Sequence, residues 1–176
     1  MSQYQFCSVC GDRMQMKLAE NDQTMRLTCL SCGFIHYHNP RPTVKAVIFK
    51  EDKILMLRRA EEPALGAWDI PGGFMEYDEH HDEAVVRETR EETGVDIEIV
   101  EMLGVFHKLW NPQNVDSSIL NICYLCRWVA GEAEVKSPLE IDRAEWRGLD
   151  NIPDWVGYGH FDEVMQIIRG RDITKL

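Results

Sequence analysis

Glu91 and Glu92 follow Glu88 by three and four residues, and on a helix that spacing sets all three carboxylates on one face. Like charges so placed repel, and a helix under no functional demand relieves the strain with a lysine or glutamine at little cost. Divalent cations turn the repulsion into coordination. Magnesium takes oxygen ligands and keeps waters and substrate phosphates around it, so clustered carboxylates suggest phosphate chemistry. For a bare Glu-x2-Glu-Glu the competing reading is a solvated acidic face paired with Arg87 and Arg90.

A second set of residues points to a different metal. Cys7 and Cys10 form one Cys-x2-Cys pair and Cys29 and Cys32 another, with 18 residues between them, the spacing of a four-thiolate zinc site. Gly11 and Gly33 follow the two pairs, where a tight turn that aims N–H groups at thiolates needs a permissive backbone. The intervening stretch predicts two short strands around a polar turn at Glu20–Gln23, the hairpin of a zinc ribbon. Four thiolates leave no open coordination position, so this zinc is structural. Cys123 and Cys126 have the same spacing, but they lie in an apolar run where a strand points them to opposite faces, and they read as buried thiols. His36 and His38 would be spare to a site that four cysteines complete.

These groups need elements to hold them. The carboxylates ride on a helix predicted from about His81 to Thr93, with Asp82 and Glu83 at its positive end and Gly94 placed for a left-handed cap; His80 is a weak N-cap. Before it, Val44–Phe49 and Ile54–Arg58 predict a hairpin, and Trp68–Phe74 ends in a Pro-Gly-Gly turn. After it come strands at Ile97–Phe106, Ser118–Val129 and Arg143–Trp146, then an amphipathic helix with Phe161, Val164, Met165 and Ile168 on one face. Strands and helices mix without regular alternation, which suits an α+β sandwich. The expected division is a ribbon at residues 1–38, a linker at 39–42 built on Pro40 and Pro42, and a main domain at 43–176.

With 176 residues there is room for one ordinary domain and a small appendage, and the 44% hydrophobic content can fill a core. The formal charge of −11 argues against polymeric nucleic acid as a partner and leaves small phosphorylated molecules, whose charge bound cations can offset. The N-terminal residues lack the basic start and apolar core of a secretory signal, and no apolar run is long enough to span a bilayer. A cytoplasmic location is therefore expected, with the cysteines reduced or metal-bound.

Gly73, five residues, Glu79, seven residues, then Arg87-Glu88-Thr89-Arg90-Glu91-Glu92-Thr93-Gly94-Val95 resembles the Nudix box, G-x5-E-x7-R-E-U-x-E-E-x-G-U, at every fixed position. Thr89 departs from the bulky apolar residue usual at U, which is expected to loosen packing of the helix. The resemblance implies a Nudix α/β/α sandwich with a mixed sheet from about Thr43 onward. It implies magnesium or manganese held by Glu88, Glu91, Glu92 and the Gly72 carbonyl, with Arg87 and Glu79 orienting the helix carboxylates. The implied reaction is attack of water on a diphosphate phosphorus. The base is left open between Glu88 and Glu140, the latter on a loop outside the box; as a surface salt-bridge partner Glu140 would have no such role.

A ribbon directly before such a domain is similar to two Nudix branches, the NADH pyrophosphatases and a shorter group acting on FAD or ADP-ribose. The Ser-Gln-Pro-Trp element of the first is absent from Phe106–Ser118, and the Tyr37-His38-Asn39-Pro40 linker resembles the second. The expected substrate is thus a small dinucleotide-like molecule, with NADH as alternative. Trp68, Trp110 and Tyr124 are candidates to stack on its rings, although such aromatics are more often simply core. A reading of another class makes the chain a non-catalytic ligand sensor whose ribbon binds nucleic acid or protein; the intact box and the acidity argue against it. The ribbon is also a candidate element of a homodimer.

Overall fold

The computed structural model describes residues 4–19, 23–110, 117–153 and 161–171, which fall into two compact units, one running to Asn39 and the other from Pro40 onward. In the first, β1 (Met14–Leu18), β2 (Met25–Cys29) and β3 (Ile35–His36) form an antiparallel sheet in that order. Of the turn expected at Glu20–Gln23, residues 20–22 lie outside the described residues, and Gln23 donates its N–H to the Ala19 carbonyl at 3.0 Å. Among the described residues of this unit the buried apolar side chains are Cys7, Ala19, Leu27 and Cys29, while Phe6, Val9, Met16 and Met25 are exposed. So small a core cannot offset the chain entropy of folding without a metal.

The second unit is built on a mixed sheet. Its strands are β4 (Arg41–Lys50), β5 (Lys53–Arg59), β6 (Trp68–Asp69), β7 (Asp96–Trp110), β8 (Ser117–Ala130) and β9 (Ile141–Gly148). They run β6-β5-β4-β8-β7 with β9 also on β5; β4 and β8 are parallel and the other pairs antiparallel. Helices α1 (His81–Thr93) and α2 (Phe161–Arg169) cover opposite faces. On β4, Val44, Ala46 and Ile48 pack with Ala84 and Val85 of α1, while Val47 and Phe49 pack with Phe161, Val164, Met165 and Ile168 of α2. Both faces of β4 are thus buried, which is why its run is apolar at nearly every position from Val44 to Phe49. Thr43 and Lys45 are the polar interruptions, and both are buried.

Three expectations are corrected. β4 takes in Arg41 and Pro42, assigned above to the linker, because they pair in register with Ile119 and Leu120 of β8 and the Pro42 carbonyl accepts from the Met75 N–H at 3.3 Å. β9 extends beyond Arg143–Trp146 at both ends, since it pairs along the whole of β5. Thr89 does not loosen α1. It is fully buried, and its hydroxyl donates to the Val85 carbonyl one turn back at 2.8 Å, so no polar group is left unpaired.

The ends of α1 follow the expected chemistry. The Glu83 carboxylate accepts from the His80 N–H at 3.0 Å and the Asp82 carboxylate from the Glu83 N–H at 2.9 Å, so acidic side chains serve where His80 is a weak cap. Gly94 closes the helix at φ 72°, its N–H on the Arg90 carbonyl. The segment after β8 then donates to the last free carbonyls, Lys136 N–H to Glu92 at 2.9 Å and Glu134 N–H to Thr93 at 3.0 Å.

Candidate active site

The turn after β6 is stitched to β4 by Ala46 N–H to the Pro71 carbonyl and Val44 N–H to the Gly73 carbonyl, each 2.9 Å. Gly72 has φ 139°, and a Cβ there would lie 2.1 Å from the Val44 carbonyl oxygen, so only glycine fits. This close approach lets the Gly72 N–H donate to the Glu92 carboxylate at 2.8 Å. At Gly73 a Cβ would lie 2.5 Å from a Glu88 carboxylate oxygen. The two glycines therefore set bare backbone against two of the three helix carboxylates.

Arg87 organises the rest with all five of its N–H donors. It grips Glu79 through Nε at 2.9 Å and Nη2 at 2.6 Å, reaches Glu88 at 2.9 Å and Glu91 at 3.1 Å through Nη1, and bonds the Phe74 carbonyl at 3.1 Å. Glu79 holds the Arg87 guanidinium firmly charged, and Arg87 in turn keeps Glu79 below the ordinary carboxylate range. Glu91 is exposed and Glu88 largely buried. Burial pushes Glu88 up despite Arg87, and burial pushes Glu92 up to about 8, against the opposing pull of Lys45. Part of the Glu92 side chain still reaches solvent, although protein surrounds its carboxylate closely.

Such a site fits a hard divalent cation. A carboxylate whose charge is disfavoured by its surroundings, a second raised carboxylate and a backbone carbonyl on the same turn are all oxygen donors that gain from one.

Lys45 was not singled out from the sequence. Its Nζ donates to Asp69 at 2.7 Å and lies 3.3 Å from the Ile70 and 3.4 Å from the Gly72 carbonyl oxygens. The available signal was a lysine inside an otherwise apolar, branched strand.

In the first unit the four expected cysteines converge, with Sγ atoms 3.7 Å apart for Cys7 and Cys32 and 3.4 Å for Cys10 and Cys29. Tetrahedral zinc with Zn–S of about 2.3 Å implies S···S separations of about 3.8 Å, so the thiols fit the ion. The Cys32 N–H, with that of Ser31, draws Cys29 down to about 7, and the Val9 N–H donates to Cys7 Sγ at 3.4 Å. Gly11 and Gly33 instead close the turns, donating to the Cys7 and Cys29 carbonyls from φ of 80° and 75°. Cys123 and Cys126 are buried in the separate clusters on the two faces of the main sheet.

The remaining candidates are spread out. Glu140 is exposed in the turn before β9, its backbone N–H on Ser137 and its carbonyl accepting from Ala60, while Lys136 and Ser137 just before it donate to the backbone carbonyls of Glu92 and Glu91. Trp68 is buried on the α2 face with the Arg147 guanidinium 4.2 Å from its ring centroid. Tyr124 is buried on the α1 face, its hydroxyl bonded to His81. Trp110 ends β7, and its side chain lies outside the described residues. No helix among the described residues is long and apolar enough to cross a membrane.

Comparison with known proteins agrees with this geometry. The family described as NUDIX domain matches residues 39–164 and that described as Nudix N-terminal matches residues 5–38. The chain is 33% identical over 117 residues to the ADP-ribose pyrophosphatase of Methanocaldococcus jannaschii, an overlap of 66% of this chain and 67% of that protein. It is 30% identical over 159 residues to the NAD-capped RNA hydrolase NudC of Stutzerimonas stutzeri, covering 87% of this chain but 51% of the relative. The chain thus spans about half the length of that relative. A solved NUDIX hydrolase from Nitrosomonas europaea superposes with a TM-score of 0.79 at 28% identity, covering 92% of this chain and 88% of that one.

Proposed function

The chain belongs to the Nudix hydrolase family and carries that family's N-terminal zinc-ribbon module, and from this premise we propose that it hydrolyses the diphosphate bond of a dinucleotide-like molecule such as FAD or ADP-ribose. The observation that carries the reading is the convergence of Glu88 and Glu92 on Gly72 and Gly73. Glu88, Glu91, Glu92 and the Gly72 carbonyl would hold magnesium or manganese. When bound, such cations lower the pKa of water and neutralise charge on the phosphates. Arg87, anchored on Glu79, keeps Glu88 and Glu91 aimed and partly offsets their repulsion. Glu88 takes the proton from the attacking water in this reading, because Arg87 aims it within the cluster while the Glu92 carboxylate is engaged by the Gly72 N–H, whereas Glu140 is exposed. Trp68 is the aromatic candidate beside the substrate on the Lys45 side of the sheet.

Zinc at Cys7, Cys10, Cys29 and Cys32 is structural. We place the ribbon at residues 1–38 and the catalytic domain at 41–176, from the start of β4, in the cytoplasm. A second reading, a substrate with an NAD moiety such as NADH, is favoured by the overlap with the relative named NAD-capped RNA hydrolase NudC, which extends over 87% of this chain. The test is a panel of FAD, ADP-ribose, NADH, diadenosine polyphosphates and nucleoside triphosphates, assayed with magnesium or manganese and product identification. Hydrolysis of FAD or ADP-ribose to two monophosphates supports the first reading and preference for NADH the second; hydrolysis of none defeats both. Sedimentation with and without a zinc chelator tests a homodimer held by the ribbon.

A further inference from the structure

Lys45 sits in the middle of β4, buried, on the face opposite the catalytic helix, since its neighbours Val44 and Ala46 are the residues that pack with α1. A charged side chain there is costly unless paired, and a pair with no further role is commonly replaced by apolar residues at no loss. The pair is nonetheless elaborate. Asp69 accepts from Lys45 Nζ at 2.7 Å through one oxygen and from the Ile70 N–H at 2.8 Å through the other, which fixes the direction of the ammonium. That direction brings Nζ to 3.4 Å from the Gly72 carbonyl oxygen.

Gly72 is therefore addressed from two sides. Its N–H meets the Glu92 carboxylate and its carbonyl meets the Lys45 ammonium. On the same sheet face, Asn121 stands opposite Thr43 in the β4–β8 register, two residues from Lys45. Asn121 is 1% exposed; its Oδ1 accepts from the Thr43 hydroxyl at 2.7 Å, and its Nδ2 donates to nothing among the described residues. A buried unpaired amide donor is costly where no acceptor ever arrives. One strip of the sheet thus carries a tethered cation and an unused donor next to a proposed metal ligand.

We propose that Lys45 contacts the substrate: its ammonium, held by Asp69, exchanges its 3.4 Å bond to the Gly72 carbonyl for one to a diphosphate oxygen, with Asn121 donating to an acceptor farther along the same molecule. This rests on the hydrolase reading given above. Lys45 then supplies a positive charge at the diphosphate that no exchange of cations removes. Its contribution to binding belongs to a charge-assisted hydrogen bond.

The experiment compares the full zinc-loaded chain with Lys45→Met, and with Lys45→Met/Asp69→Asn so that no unpaired buried carboxylate can unfold the protein. Binding of manganese alone is followed by electron paramagnetic resonance, and binding of the non-hydrolysable α,β-methylene-ADP by calorimetry in the presence of manganese. Both variants should bind manganese at least as tightly as the wild type, since a neighbouring cation is gone, and should bind the nucleotide ~10- to 100-fold more weakly, as loss of one charge-assisted bond predicts. Unchanged nucleotide affinity overturns the proposal. So does a parallel fall in manganese and nucleotide affinity, which would mean that Lys45 only props the Gly72 turn. A wild type that binds the nucleotide but cleaves nothing in the panel defeats the hydrolase reading alone.

Discussion

Replacing Glu92 by glutamine should stabilise the protein in mildly alkaline solution without magnesium or manganese, while abolishing its gain in stability from either ion. Burial holds the Glu92 carboxyl at about 8 against an ordinary 4.5. Below about pH 4.5 the group is protonated whether the chain is folded or not and has no effect. Between 4.5 and 8 the unfolded chain ionises while the folded one resists, so the wild type loses stability as pH rises, and above 8 the loss is complete. The full displacement corresponds to roughly 4–5 kcal/mol. Partial contact of the side chain with solvent screens the charge, which brings the expected effect to about 1–3 kcal/mol, or on the order of 3–10 °C in Tm for a chain of this length. Glutamine keeps the volume and can still accept from the Gly72 N–H, bonded at 2.8 Å in the wild type, so core packing is not disturbed. Differential scanning calorimetry from pH 5.5 to 9 measures it on zinc-loaded protein dialysed free of other cations, because a strong chelator would also strip the ribbon. Manganese at pH 8.5 should raise the wild-type Tm and leave the variant's unchanged. Parallel pH curves for the two proteins would refute the buried-charge argument.

Four further outcomes follow from the same geometry. Gly73→Ala should cost activity about 10- to 1000-fold with a stability loss of about 1 kcal/mol or less, because its Cβ would displace a flexible carboxylate and not backbone; steady-state kinetics beside a melting curve checks it. Gly72→Ala, whose Cβ would meet the Val44 carbonyl at 2.1 Å, should instead lower stability by several kcal/mol, seen in urea unfolding. Glu140→Gln should leave kcat within about threefold while Glu88→Gln loses about 100-fold or more; the reverse order would move the base to Glu140. Zinc removal should release one ion per chain by colorimetric assay and open new protease cuts before Asn39, with the main sheet's circular dichroism retained, since that unit has its own two apolar clusters.

What could be read in the sequence was whatever depends on near neighbours. The bounds of α1 followed from acidic residues at one end and Gly94 at the other, and the ribbon from two pairs of cysteines, because helix caps and metal knuckles are short-range chemistry. The Arg87–Glu79 pair came through the box. Burial of a particular side chain is another matter, since it depends on which element arrives from elsewhere. Tyr124 was a candidate stacking ring from composition, but α1 covers its face of β8 and His81 takes its hydroxyl. Thr89 read as a defect because its hydroxyl partner, the carbonyl of Val85, is backbone and leaves no trace in residue types.

Lys45 shows the limit most clearly. A lone lysine within a branched strand ordinarily reads as an outward residue of an edge strand, where it discourages pairing with other chains. Here β4 is flanked by β5 and β8 and covered on both faces, so the residue has no outside. Its counter-ion lies 24 residues on and reaches it only because Leu57 and Arg58 of β5 pair with Asp69 and Trp68 of β6. None of those three facts is local. The same pairing carries the chain into the Pro71–Gly73 turn, so the strand that delivers Asp69 to Lys45 also delivers Gly72 to Glu92. The ion pair and the carboxylate site are therefore set by one tertiary event. A substitution that weakens the β5–β6 pairing, such as Trp68→Ala, should disturb both together, lowering metal affinity through Gly72 although Trp68 packs in the cluster on the α2 face.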